Sequence, residues 1–433
     1  MRIATTVAAL AGLCLAAGCS SRTTPAAPAG KRVAEGPARF LSVSPDGTRL
    51  AWLGACAPAP GGGKAQLACA LLVAPVQGGA AQRVAEGVAA TGGAFAWGPP
   101  ARLVFAAGGD LFLAFPDGEP ARVRGGGGAV DFAFSPAPEG ALAALVRGAG
   151  GARDLAVWRE SGGEPVVLAR DVASFAYSPD GALLAAIVGV APGRNGDLVV
   201  VPAGPAGAEG KPPPSPVVVA RAVGEFRWAP AATRLAWLEV FDPRIGAGTL
   251  ASAVPGGPPV SFAPRVTAFE LSPSGGQVAF VRHVTESTYA AQLELSPSQA
   301  AVSGTLTLDA ASFDFSPDGR WLYYRSGCAP AGDGCALFRA PAAGLGSGQS
   351  PERLADGVAG FALDRWRPDR ALVSFARRDG AGVDLALWSG GKFVPLDGAV
   401  LAGSPRFLPP DGRRVAYVVS APARAGVYLA NAP

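Results

Sequence analysis

The chain has one histidine, His283. A Ser-His-Asp or Cys-His nucleophilic site would have to use that single imidazole, and multi-histidine metal sites lack their further ligands. No Gly-x-Ser-x-Gly elbow occurs, and the glycine-rich stretch from Gly344 to Ser350 reads as a loop rather than a phosphate cradle. Carboxylates are the side chains left for acid-base chemistry, with 33 Asp and Glu in all. No metal and no cofactor is expected.

Cysteine chemistry is more specific. Cys14 falls in an apolar leader and Cys19 at its end, so Cys56, Cys69, Cys328 and Cys335 remain for the folded body. Each local pair lies between two strand-like segments of one repeat, where a hairpin brings Cα atoms within disulfide range. Bonds Cys56–Cys69 and Cys328–Cys335 are expected, as an oxidising compartment would maintain. Zinc is the alternative, but the spacing is wrong and no histidine is near.

Positioning these residues requires a fold, and composition narrows it. Hydrophobic residues make up 49% and charged residues 16%, with 60 Gly and 41 Pro among 433 residues. That hydrophobicity excludes a disordered chain, and that breaker density excludes long helices. The formal net charge of +4 is too small to imply nucleic-acid binding.

Internal repetition then specifies the architecture. FAYSPDGALLAAI at Phe175 recurs as LSVSPDGTRLAWL at Leu41, FAFSPAPEGALAAL at Phe132, FELSPSGGQVAFV at Phe269, FDFSPDGRWLYY at Phe313 and RFLPPDGRRVAYV at Arg406. Weaker copies begin at Phe95, Phe226 and Phe361, and successive copies lie about 37 to 54 residues apart. Each unit reads as an alternating segment, a Ser-Pro-Asp-Gly turn, an apolar run, and two further apolar runs after variable loops. Four short strands punctuated by Gly and Pro make one antiparallel blade of a propeller. In the turn, Pro fixes φ, Asp bonds its own backbone and Gly takes the left-handed conformation, so Asp46, Asp180, Asp318 and Asp411 are structural.

The fold class expected is all-β: a single propeller of four-stranded antiparallel blades over residues 31–433. Nine repeats are counted, or eight blades if the copy at Phe95 or Phe361 is irregular. The last unit stops after its third strand, while KRVAEG at Lys31 matches fourth strands such as QRVAEG and ERLADG. The N-terminal strand is therefore expected to complete the last blade.

The Ser-Pro-Asp-Gly turn followed by an LAW- or VAY-like run resembles the WD40-like PD40 repeat of the TolB family of periplasmic propellers. The resemblance covers nearly all of the chain after Gly30 and implies envelope protein partners, with no specific binding residue carried over. Met1 to Gly18 reads as a signal peptide, with basic Arg2 and an apolar run from Ile3 to Leu15. Leu15-Ala-Ala-Gly-Cys19 resembles a bacterial lipobox, which implies that Cys19 is acylated; ordinary signal-peptidase cleavage is the alternative. Residues 19–30 then form a flexible tether. Ser20 resembles an outer-membrane sorting signal, which implies lipid anchorage in the outer membrane facing the periplasm; a monomer is expected.

Two constellations are candidates for binding. Arg147, Arg153, Arg194, Arg244, Arg282 with His283, Arg325, Arg377 with Arg378, and Arg424 fall in loops between second and third strands, on one face of the disc. They form either a basic face for an anionic partner or solvated loop charges. On the innermost strands, where Ala or Ser is usual, consecutive units carry Arg227, Glu270 and Asp314. These make either an inter-blade ion cluster or a ligand site in the channel. The function expected is a non-catalytic envelope scaffold binding a protein or an anionic polymer. The alternative is a carboxylate-dependent carbohydrate-active or other hydrolytic enzyme with its site in the channel.

Overall fold

The computed structural model describes residues 30–59, 67–115, 118–138, 140–158, 163–190, 195–203, 215–283, 291–329, 334–343, 350–377 and 379–433. The leader, Cys19, Arg194 and Arg378 lie outside the described residues. Within them the chain is all-β, and every strand pair is antiparallel. No described helix is long and apolar enough to cross a membrane.

The units follow the repeat. Their first strands are Ala38–Val43, Phe95–Gly98, Asp131–Phe134, Val172–Tyr177, the second half of Val217–Ala229, Val266–Leu271, Ser312–Phe315, the second half of Glu352–Leu363, and Arg406–Phe407. In the Phe175 unit, Val172–Tyr177 pairs with Leu183–Val188, which pairs with Gly196–Pro202, which pairs with the first half of Val217–Ala229. That last strand bends and becomes the first strand of the next unit. The same handover occurs within Glu352–Leu363.

Second strands explain why the apolar runs are continuous rather than alternating: both of their faces are buried. In the Leu41 unit, Ala51 and Leu53 pack with Leu103 and Phe105 of the Phe95 unit. Leu50 and Trp52 point the other way, into a cluster with Leu408, Ala416 and Val418 of the Arg406 unit. Each successive pair of units shares such a cluster, for example Tyr323 with Trp388, and Ala185 and Ile187 with Trp237.

The turns behave as their chemistry dictates. Ser44, Ser178 and Ser316 are fully buried, and each hydroxyl accepts a backbone N–H across the turn at 2.9 Å from Arg49, Leu183 and Trp321. Asp46, Asp180, Asp318 and Asp411 accept the N–H two residues on, at 2.9–3.1 Å. Gly47 and Gly181 hold φ of +71° and +72°.

A second recurrent corner lies where a fourth strand passes into the next first strand. There a left-handed residue precedes a buried valine: Gly87 before Val88, Asp171 before Val172, Ala222 before Val223, Arg265 before Val266, and Ala399 before Val400. Glycine accepts this conformation freely, whereas an L-residue with a Cβ pays about 1–2 kcal/mol. Ala222 has φ +53° and an exposed side chain, so Ala222→Gly loses no packing. It is expected to stabilise the protein by about 0.5–1 kcal/mol. The urea midpoint should rise with unchanged slope; an unchanged or lower midpoint would show that the corner is unstrained.

The first strand, Lys31–Glu35, pairs with Gly426–Asn431, and the Gly36 N–H donates to the Ala425 carbonyl at 3.0 Å. It occupies the place of a fourth strand in the Arg406 unit. Behind it, the Tyr417 hydroxyl accepts the Gly30 N–H at 3.0 Å and donates to Asp397 at 2.9 Å. Asp397 also accepts Arg424 on both oxygens, at 2.8 and 2.7 Å. Both expected disulfides are present, with Cα–Cα distances of 4.0 Å for Cys56–Cys69 and 3.9 Å for Cys328–Cys335. Such bonds point to an oxidising compartment outside the cytoplasm.

Candidate functional site

First strands of neighbouring units lie side by side, so the middle residue of one faces the middle residue of the next. Most of these positions are small: Ser42, Ala96, Ala133, Ala176 and Ala362. Arg227, Glu270 and Asp314 stand on consecutive strands and are brought together. Arg227 Nη1 donates to Glu270 Oε1, and its Nε and Nη2 donate to Glu225 Oε1 at 3.2 and 3.1 Å. The guanidinium lies 5.6 Å from the centre of the Phe269 ring, close enough for a cation–π contact.

Arg227 thus bonds two carboxylates, with Asp314 close enough to feel its charge. Burial pushes Glu270 up to about 7, with the negative charges of Asp314 and Glu225 adding to the rise and Arg227 opposing it. Burial also pushes Asp314 up to about 6, against the Phe315 N–H and the charges of Arg365 and Arg227. Both side chains still touch water. A carboxylate walled by protein loses hydration even where a water molecule can reach it, so contact with solvent and a raised pKa coexist.

These shifts fix a sign. A carboxyl whose folded pKa is raised keeps its proton in the native state after the unfolded chain has lost it. It therefore favours the fold most at low pH, and that contribution falls away as pH rises from about 4.5 through about 7 for Glu270 and from about 4 through about 6 for Asp314. Asp314→Asn is expected to flatten the decline in thermal stability between pH 4 and 6, measured as Tm in buffers of equal ionic strength. A profile parallel to that of the parent protein would exclude a raised Asp314.

Of the seven described arginines of the other constellation, five are occupied, Arg424 by Asp397 as above. Arg282 donates to Glu294, whose side chain is buried; Arg377 pairs with Asp379 at 2.5 Å and Asp384 at 2.7 Å. Arg244 bonds Asp242, and Arg325 donates to the Ser312 hydroxyl and the Ala359 carbonyl. His283 lies at the end of the Gln277–His283 strand beside Arg282. Most cations on this face have a local partner, the arrangement of loop charges rather than of a bare basic surface. Among the described residues no group of three or more His, Cys, Asp or Glu is placed to hold a metal ion.

Sequence reading missed Glu225 and Arg365. Glu225 stands two residues before Arg227, hence on the same side of the strand, which is the signal that would have found it. It also missed arginines at the start of second strands that reach into other units. Arg102 donates to the Gly140 carbonyl at 2.7 Å, Arg234 to Ser298 at 3.4 Å, and Arg370 to Gly412 at 3.3 Å and Ala432 at 3.0 Å.

No family model matches the chain, and no curated protein matches it. Among solved structures it is similar to one titled "Crystal structure of the eukaryotic initiation factor", at 13% identity over 91% of this chain and 84% of that one, with a TM-score of 0.49. An oligogalacturonate lyase in complex with manganese is 13% identical over 70% of this chain and 88% of its own, with a TM-score of 0.43. A putative TolB from Agrobacterium tumefaciens is 17% identical over 62% of this chain and 94% of its own, with a TM-score of 0.33. From its own strand order and shared clusters, the chain has a propeller-like all-β fold of sequentially packed antiparallel units.

Proposed function

We propose that this chain is a cell-envelope protein, tethered through a lipid on Cys19 in the outer membrane, whose body is a closed ring of nine four-stranded blades. It acts as a monomeric, non-catalytic scaffold for an envelope protein or polymer. The count of nine is supported by the hydrophobic clusters between consecutive units and the one joining the Leu41 and Arg406 units. The observation that carries the functional reading is the place of Lys31–Glu35 as an outermost strand. A tether entering there leaves from the rim, so both faces of the disc stay open to a partner.

The reading is tested in cells. Cys19→Ala should move the protein from the membrane to the soluble fraction and abolish labelling by a fatty acid. A photo-crosslinking residue at exposed Ala182, on the turn face, should yield a discrete adduct that the same residue at Arg83, on the rim, does not. Membrane retention of the Cys19 variant, or adducts from the rim alone, would reject it.

A second reading, hydrolysis by carboxylates in the channel, is favoured by the raised values of Glu270 and Asp314, the state a general acid needs near neutral pH. It requires that purified protein release reducing ends from envelope polysaccharide and that Glu270→Gln abolish the release.

A further inference from the structure

One first strand departs from the others. In the Phe175 and Phe269 units the strand bulges just after its corner valine, between Val172 and Ser174 and between Val266 and Ala268. In the Leu41 unit the bulge lies further along, between Arg39 and Ser42. Phe40, inside that bulge, is 43% exposed, whereas Phe95, Phe132 and Phe269 of other first strands are buried. Phe40 also holds φ +53°, a left-handed conformation that is unfavourable for any residue with a Cβ. Glycine at this position would avoid both the strain and the exposed ring. Bulges re-aim side chains, and strained residues gather where a chain clamps a ligand.

Phe40 lines a groove of about 1020 Å³ at the seam between the Leu41 and Arg406 units. Its walls are the chain entering the first strand at residues 36–41, the connection at residues 401–404 and the loop at Pro422 and Ala423. In an antiparallel unit these segments share the face opposite the Ser-Pro-Asp-Gly turns, the same face as the loop arginines, none of which lines the groove. Arg32, Arg39 and Arg406 line it against one carboxylate, that of Glu35. Glu35 is taken by Arg32 at 2.8 Å. Arg39 is exposed and makes no ion pair among the described residues. Arg406 Nη1 donates to the Gly403 and Pro405 carbonyls at 2.7 and 2.8 Å, which fixes the guanidinium, but no described carboxylate meets it. Two arginines thus lack a counter-charge in a groove whose apolar lining includes Phe40, Leu401 and Pro422.

We propose that this groove binds the free C-terminus of a partner polypeptide that ends in an aromatic or large apolar residue. The last side chain packs on Phe40, and the terminal carboxylate accepts charge-assisted hydrogen bonds from Arg39 and Arg406. A polyanion would meet only two free cations there. An acyl chain would need a closed apolar tunnel, whereas this groove is open enough to leave nearly half of Phe40 in water. The inference goes beyond the scaffold reading, and its test needs neither tether nor membrane.

Fluorescence anisotropy of the purified protein with labelled hexapeptides decides it. A free acid ending in Ala-Phe should bind at least about tenfold more tightly than its C-terminal amide and than a free acid ending in Ala-Ser. Decanoate, which joins a carboxylate to an acyl chain, should compete at least about tenfold more weakly than the unlabelled peptide. Arg39→Ala and Phe40→Gly should each weaken binding at least about tenfold, and Phe40→Gly, which relieves the left-handed backbone, should do so without lowering the thermal midpoint. Rim variant Arg83→Ala should bind like the parent. No binding of the Phe-ended acid, equal binding of the amide or the Ser-ended acid, equal or better competition by decanoate, affinities untouched by these substitutions, or a loss confined to a destabilised variant would overturn the proposal. Failure here would leave the crosslinking test on the turn face intact.

Discussion

Asp397→Ala is expected to cost about 3 kcal/mol and to loosen the first strand. Asp397 is almost wholly buried, and its carboxylate accepts Tyr417, both Arg424 bonds and the Gly398 N–H at 2.8 Å. Removing it leaves a buried phenol with no acceptor and a guanidinium with no anion. Breaking a buried pair in this way costs about 3–5 kcal/mol, and the lower value applies because Arg424 is still partly in water. Tyr417 also receives the Gly30 N–H, so the loss propagates to the seam. Urea denaturation gives the total, and hydrogen exchange of the amides of residues 31–35 gives its location. Unchanged protection of that strand would show that the network is not what secures it.

The other large effect concerns two turns that approach each other. Gly47 of the Leu41 unit holds φ +71°, and a Cβ there would sit 2.3 Å from the carbonyl oxygen of Pro409 in the Arg406 unit. Gly47→Ala thus pays twice, about 1–2 kcal/mol for the left-handed backbone and about 1–3 kcal/mol for the forced displacement of a neighbouring main chain. Gly36 is an internal control: it has φ +94° and nothing within 4 Å of a built Cβ, so Gly36→Ala pays only the conformational part. The difference between their denaturation midpoints reports the contact between the last and first units. Equal losses would mean that these turns do not meet in solution.

Much of this organisation was legible in the residues, and what was not has a physical reason. The turns could be read because Pro, Asp and Gly act within four residues. The disulfides could be read because both cysteines of each pair sit in one hairpin. Arg227, Glu270 and Asp314 stood out as departures from alanine at one position of the repeat. The corner before the buried valines was harder to see, because glycine marks it in Gly87 and Gly357 while Asp171, Ala222, Arg265 and Ala399 tolerate the same strain. Partners distant in the chain were invisible: nothing near Arg102 points to the Gly140 carbonyl, and nothing near Arg424 points to Asp397. Arg282 and Arg424 looked free for the same reason, since Glu294 and Asp397 come from other strands, whereas Arg244 and Arg377 have carboxylates two residues away.

The position of the first strand has a mechanical corollary. A pull entering from the N-terminal side reaches Gly30 and its bond to Tyr417 before any other part of the body. Because the strand runs along an outer edge, antiparallel to Gly426–Asn431, such a load opens its ladder bonds one after another rather than all together. Tension would be spent on five rim residues first, leaving the densely packed interior and both disc faces unstressed until that zipper gives way.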